Sequence, residues 1–281
     1  MEKLNRKPFQ GITNIVKFNW HFYIIAILFV AFVMVFGLYF GHLLSGNVLL
    51  LCNLVIFSTI LSTLLSLLTS YYVYDYSNLY QLDWLNFLNI PSNNELQTKS
   101  QDKLNNKLQD KSQTKIVNRI VNINAGFDET SLLLSQKYPT ANLSVFDFYD
   151  AEKHTEVSIK RARKAYPAYP NTQIIQTNAI PLQNNSVNYI FTILSAHEIR
   201  NTEERIAFFT ILQQSLTENG NIIVVEHLRD IPNFIAYSIG FLHFFSKNTW
   251  KQTFQAANLQ IAKELKITPF ISVFVLEKVI V

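Results

Sequence analysis

IVNRIVNINAGFDETSLLLSQKYPTANLSVFDFYD, residues 116–150, decides the fold. It opens on an apolar run, Ile116 to Ile123, rich in the branched side chains that suit a strand buried on both faces. Ala125 and Gly126 follow, small enough for a sharp turn and for close approach of a ligand to the backbone. Asp128, Glu129, Thr130 and Ser131 are acidic and hydroxyl residues of the kind that open a helix. That helix, from Leu132 to Lys137, is stopped by Pro139, and a second strand, Leu143 to Phe146, ends on Asp147. Asp147 stands about 20 positions beyond Gly126, the separation expected between a phosphate- or ribose-binding turn and the acid that holds ribose hydroxyls. The spacing predicts a nucleotide-binding βαβ unit.

Outward from this unit the α/β rhythm continues to the end of the chain. A helix is expected from about Thr155 to Ala165, with Arg161, Arg163 and Lys164 in its last turns, where cations suit the helix dipole. Gln173 to Gln176 reads as a short strand ending at Thr177 and Asn178, and Tyr189 to Leu194 as a fourth strand ending at Ser195–Ala196–His197–Glu198. Arg205 to Leu216 is amphipathic, Glu218–Asn219–Gly220 reads as its end, and Asn221 to Glu226 as a fifth strand. A helix over Thr249–Ala257 and a terminal strand pair, Leu259–Ile267 and Phe270–Lys278, complete the pattern. In an open α/β sheet ligands sit outside the carboxyl ends of the strands. Residues 124–128, Asp147, Thr177–Asn178, Ser195–Glu198 and Glu226–Asp230 all fall at such ends.

The 115–281 region resembles a class I S-adenosyl-L-methionine-dependent methyltransferase, in particular the membrane-anchored members that act on small molecules. The family's first motif reads roughly DxGxGxG. Here Asn122 stands at its acid, Asn124 at its first glycine, Gly126 at its middle glycine and Asp128 at its last, while Asp147 matches the ribose-binding acid. The run 181–188, PLQNNSVN, is similar to the family's lead-in to the fourth strand, and 216–227, LTENGNIIVVEH, to its fifth-strand segment. The resemblance implies a Rossmann-like seven-stranded α/β sheet whose last two strands are antiparallel to each other. It implies S-adenosyl-L-methionine as cofactor, bound by Asn122, Asn124, Ala125, Gly126, Phe127, Asp128, Asp147, Phe148, Thr177, Asn178 and Ser195. Asp147 would hold the ribose diol, Phe148 pack on the adenine, and Thr177 or Asn178 meet its amino group. Asp128 is open to two readings, a partner for the cofactor's ammonium or a helix cap. His197, Glu198, Glu226 and His227 are the candidate catalytic groups, because at most a base is needed to take a proton from the methyl acceptor.

The N-terminal third is a different material. Positions 18–74 carry no Asp, Glu, Lys or Arg, and two apolar segments, about 22–40 and 48–70, each approach the roughly 20 residues that cross a bilayer. Lys3, Arg6, Lys7 and Lys17 precede the first, and the turn at 41–46 carries no lysine or arginine. The positive-inside rule then places the N-terminus and the domain after the hairpin in the cytoplasm, on the cell membrane. The expected organisation is a basic N-terminus (1–18), two transmembrane helices (19–74), a juxtamembrane segment and polar spacer (75–115), and the methyltransferase-like domain (116–281). Residues 75–90 read equally as an interfacial helix or as a collar packed on the domain, and the apolar 233–246 as a lid or a crossover helix. Together with the hairpin, the 233–246 stretch favours an apolar or lipid-like small-molecule acceptor.

Composition excludes other classes. The net charge of +4 comes from scattered lysines, with no basic stripe interleaved with aromatics, so no nucleic-acid partner is expected. Cys52 is the single cysteine, which rules out an internal disulfide, and neither Cys-x-x-Cys nor His-x-x-x-His spacing points to a metal. An NAD-dependent oxidoreductase is disfavoured, since the turn lacks G-x-G-x-x-G. A degenerate cofactor-fold scaffold or sensor at the membrane remains the alternative, supported by the asparagines at 122, 124, 178 and 188.

Overall fold

The computed structural model describes residues 6–88, 118–153 and 157–279. The polar spacer over 92–115, the first residues of the first strand and His154 to Glu156 lie outside the described residues. Seven strands form one sheet: β1 (Arg119–Asn124), β2 (Asn142–Asp147), β3 (Gln173–Ile174), β4 (Val187–Ile193), β5 (Leu216–His227), β6 (Leu259–Thr268) and β7 (Ile271–Lys278). Their order is 3-2-1-4-5-7-6. β1 pairs in parallel with β2 and β4, β2 with β3, and β4 with β5, whereas β7 runs antiparallel to both β5 and β6. The strand order reverses between β1 and β4, which opens a crevice at their carboxyl ends.

Two hairpin helices come first, α1 (Gln10–Phe40) and α2 (Gly46–Tyr71). Both are long and apolar enough to cross a membrane, and none of the most apolar stretch of either is buried in the protein. The other α-helices among the described residues are α3 (Ser131–Lys137), α4 (Val157–Ala165), α5 (Thr202–Ser215), α6 (Ile231–Tyr237) and α7 (Lys247–Ala256).

Alternation along the strands divides the core in two. Val121, Ile123, Ile222 and Val224 face a layer built by Phe208, Phe209 and Leu212 of α5 with Trp250 and Phe254 of α7. Ile120, Phe191, Ile223 and Val225 face the other way, onto Val73, Leu79, Leu82 and Leu85. The segment after α2 is therefore a collar covering one face of the sheet. Leu79, Leu82 and Leu85 are almost fully buried there, so residues 75–88 take the collar reading rather than the interfacial-helix one.

Two boundaries differ from the sequence reading. α5 ends at Ser215, and Leu216 already pairs with Val187 of β4, so Glu218–Asn219–Gly220 lie within a strand rather than closing a helix. Gly220 is a close fit there: a Cβ would lie 3.0 Å from the Val187 carbonyl oxygen and 3.1 Å from that of Asn188. The second difference is at the N-terminus, where the helix begins at Gln10 and is packed on the α/β domain. Asp75, returning at the end of the hairpin, accepts from the backbone N–H of Gly11 (2.6 Å) and Ile12 (2.7 Å) and so supplies the missing N-terminal cap. Gly11 is pressed so closely to Tyr74 that a Cβ would meet the Tyr74 Cβ at 2.5 Å. Asn14 bonds to Glu129 and to the Tyr166 hydroxyl, and Phe18 is buried against Phe127 and Tyr166. The helix kinks at Asn19, whose φ of −113° and ψ of 17° are not helical. From Trp20 to Phe40 the remaining rise is about 30 Å, the thickness of a bilayer's hydrocarbon core.

Candidate active site

The turn after β1 is held by its own side chains. Asn122 donates to Thr130 Oγ1 (3.0 Å) and Ser131 Oγ (2.8 Å), tying β1 to the start of α3. Asn124 Oδ1 accepts from Gly126 N, which lets Gly126 adopt a φ of +98°. Asp128 Oδ1 accepts from the N–H groups of Thr130 and Ser131, so the helix-cap reading is realised. Its second oxygen, together with Asn122 Oδ1 and Asn124 Nδ2, is buried with no hydrogen-bond partner among the described residues. Two acceptors and one donor thus stand unpaired at the turn, where a buried polar group without a partner is costly. They complement an α-amino acid, whose ammonium donates and whose carboxylate accepts. Ala125 is buried behind them, and the Phe127 ring packs on Phe18 and Tyr166 beneath the first turns of α1.

Asp147 is buried at the end of β2, facing the turn. One oxygen accepts from Tyr149 N at 2.9 Å. The other is held by the Arg163 guanidinium, which lies over the Tyr149 ring and whose Nη1 is 3.4 Å from the Gly126 carbonyl. A Cβ on Gly126 would meet both Arg163 Nη1 and Tyr149 at 2.9 Å. The gap between Gly126 and Asp147 is therefore spanned by Arg163. From the sequence this residue looks like a cation suited to the end of α4; in the structure it reaches back into the crevice. Its neighbour Arg161 takes a separate task, bonding to the Phe18 carbonyl and to His21 beside the kink of α1.

Phe148, Thr177 and Asn178 line a cavity of about 670 Å³ together with Asp150, Glu203 and Glu204. This volume lies within the usual range for small-molecule sites, roughly 300–1,000 Å³. Thr177 Oγ1 donates to Glu204, which also pairs with Lys153. The structure thus brings the three residues expected on the adenine side to one cavity and adds acids the sequence reading did not single out. They come from the start of α5, where acids read only as complements of the helix dipole. Ser195 is committed elsewhere, its hydroxyl donating to the Ile123 carbonyl at 2.8 Å.

At the ends of β4 and β5 a second cluster forms. Glu226 is fully buried and accepts from His197 N (3.2 Å) and from His197 Nδ1 (2.7 Å). His197 Nε2 faces Glu198 Oε1 at 3.4 Å, and His243 faces the same oxygen at 3.6 Å. Burial alone would lower the His197 pKa, but the carboxylates of Glu226 and Glu198 outweigh it and raise it to about 10. Burial likewise favours the neutral form of Glu198, yet His197 and His243 hold it well below the usual carboxylate range. Arg205, buried without an acidic partner among the described residues, donates to the Ile199 and Arg200 carbonyls and stacks on Phe245, which fixes the loop bearing His197 and Glu198.

His227 belongs to neither cluster. Asn233 gives both amide protons to Asp230 and the Phe270 carbonyl, so its Oδ1 accepts from His227 Nδ1 at 3.0 Å. His227 Nε2 is left to accept from the Tyr74 hydroxyl at 2.9 Å. Burial drives its pKa down to about 4, and the ring stacks on Phe244. With both nitrogens engaged, His227 docks the collar to β5 rather than acting as a base.

No protein-family model and no curated protein matches this chain in sequence. Solved structures match it in shape at low identity. A SAM-dependent methyltransferase from Aquifex aeolicus is 14% identical over 56% of this chain and 80% of its own, with a TM-score of 0.41. One from Methanosarcina mazei is 14% identical over 64% and 98%, with a TM-score of 0.42. LepI in complex with SAM is 13% identical over 61% of this chain but only 46% of its own, with a TM-score of 0.44. The strand order 3-2-1-4-5-7-6 with β7 reversed is a property of the sheet itself and does not depend on these likenesses. The sheet is the Rossmann-like seven-stranded one that the sequence resemblance implies. Within this sheet, the turn at Gly126, the acid Asp147 and the cavity by Thr177 occupy successive strand ends on one side, and the His197–Glu226 cluster lies across the crevice from them.

Proposed function

We propose that the protein is a membrane-anchored methyltransferase that uses S-adenosyl-L-methionine to methylate a small apolar or lipid-like acceptor at the cytoplasmic face of the cell membrane. The observation that carries the cofactor is the set of unpaired buried atoms at the β1 turn, Asn122 Oδ1, Asn124 Nδ2 and Asp128 Oδ2. They would hold the amino-acid end, Asp147 the ribose diol once Arg163 moves aside, and the cavity by Phe148 and Thr177 the adenine. When bound, the cofactor supplies a methyl group on an activated sulfonium. The acceptor's lone pair would take that methyl, the carbon–sulfur electrons would stay on sulfur, and the acceptor's proton would pass to solvent. The chain's own contribution is to bring the acceptor into line and keep water out. Glu226 fixes the His197 ring, which faces the ionised Glu198 at the edge of the crevice.

Continuity of apolar surface supports the membrane and the acceptor class. α6 packs on α2 and links β5 to α7 as a crossover helix. Its outer face and the 3₁₀ turn after it nevertheless stay exposed at Ile231, Phe234, Ile235, Ile239 and Leu242, beside the apolar hairpin. A monomeric soluble protein rarely presents so continuous a patch.

The test is to supply membranes containing the full chain with methyl-labelled S-adenosyl-L-methionine and to partition the products. Label is expected in the organic extract, and label confined to water-soluble products would overturn the lipid-like acceptor. A second reading, a catalytically degenerate scaffold or sensor, is favoured by one observation, the Arg163–Asp147 pair spanning the ribose position. It predicts no label in either phase.

A further inference from the structure

The geometry points to a binding site for one divalent first-row metal ion, zinc by its donor set, made by His197, Glu198 and His243. One ligand atom from each lies within 4.8 Å of the other two. The Nε2 atoms of His197 and His243 stand 3.4 and 3.6 Å from the same oxygen, Glu198 Oε1. Those separations exceed the ~2.9 Å of an N–H···O hydrogen bond. They match the edge of a coordination tetrahedron, about 3.3 Å when nitrogen and oxygen ligands sit 2.0–2.1 Å from zinc. The two imidazole rings meet edge to face, centroids 5.2 Å apart at 83°, so neither stacks across the space between them.

The surroundings are built like the outer layer of a metal site. Glu226, fully buried, takes the Nδ1 proton of His197 at 2.7 Å and turns Nε2 toward Glu198 and His243. A carboxylate behind a ligating histidine fixes its tautomer and strengthens it as a ligand. Arg200 donates to the carbonyls of His197 (3.2 Å) and His243 (2.6 Å) and clips the two ligand-bearing loops together. Two imidazoles and one carboxylate suit zinc, and three protein ligands with an open fourth position are the pattern of a catalytic rather than a structural ion. Sequence spacing does not show the site, because His243 comes from the far side of β5.

This inference rests on the reading of the cluster as the acceptor end of a methyltransferase and deepens it. A metal with an open position polarises an oxygen placed there and eases loss of its proton. The site therefore selects an acceptor with a hydroxyl or enol oxygen over one with an amine.

The experiment is a titration of the full chain in detergent, stripped with a chelator, with Co²⁺ followed by its visible absorption and then with Zn²⁺ as competitor. One equivalent is expected, with the intense bands of a four-coordinate ion. His243→Ala should weaken Zn²⁺ binding at least a hundredfold, and Glu226→Gln about ten- to a hundredfold. His42→Ala, remote from the cluster, should leave it unchanged. Circular dichroism establishes that each variant is folded. Absence of saturable uptake by the wild type, or equal uptake by folded His243→Ala, overturns the site. The titration uses neither S-adenosyl-L-methionine nor acceptor, so its failure would leave the transferase reading standing, and failure of that reading would leave the titration intact.

Discussion

Replacing Arg163 with methionine is expected to tighten S-adenosyl-L-methionine binding about tenfold, whereas Asp147→Asn weakens it by tenfold to a hundredfold. The opposite signs come from one carboxylate. Asp147 is buried and already holds the Tyr149 N–H, so its free oxygen serves either Arg163 or the ribose diol. Methionine keeps the aliphatic bulk beside Tyr149 and removes the competing cation. Hydrogen bonds to a charged group contribute roughly 1.5–3 kcal/mol each, and 1.4 kcal/mol is tenfold in affinity. If Arg163 instead holds the cofactor, both substitutions weaken binding, and the competition is disproved.

Glu226→Gln is the second large effect, expected to reduce methyl transfer by two orders of magnitude or more while leaving cofactor affinity unchanged. The carboxylate orients His197 from beneath, accepting from its backbone N–H and its Nδ1. Loss of acid–base assistance typically costs 10²–10⁴ in rate. Glu226→Ala adds a stability defect, because His197 then loses the closer of its two carboxylates and keeps a buried charge with only Glu198 beside it. Breaking a buried pair costs about 3–5 kcal/mol, read as a lowered melting temperature in detergent. A glutamine variant with normal turnover would place the chemistry away from this cluster.

The sheet was legible because its signals are local. Ile120–Ile123, the small residues at 125–126 and the acid at 147 lie in one βαβ unit, and the next three strands run into Thr177, Ser195 and Glu226 at their carboxyl ends. The hairpin was legible because an absence of charge over positions 18–74 is a bulk property. What escaped are contacts between parts of the chain far apart in sequence. The first turns of α1 belong to the α/β domain, but their cap is Asp75 and their packing partner is Tyr166. Nothing within residues 10–18 marks that. Arg163 has the same helix position as any dipole-satisfying cation, and only its reach to Asp147 distinguishes it. His227 has the composition of a catalytic residue and the surroundings of a structural one, because Tyr74 and Asn233 take both its nitrogens.

The central claim is that the crevice holds S-adenosyl-L-methionine, and calorimetric titration of the full chain in detergent measures it directly. Saturable binding of one equivalent, weakened by Asp147→Asn and insensitive to Glu226→Gln, is the predicted result. No heat of binding for the wild type, with the Arg163→Met variant equally silent, would contradict it.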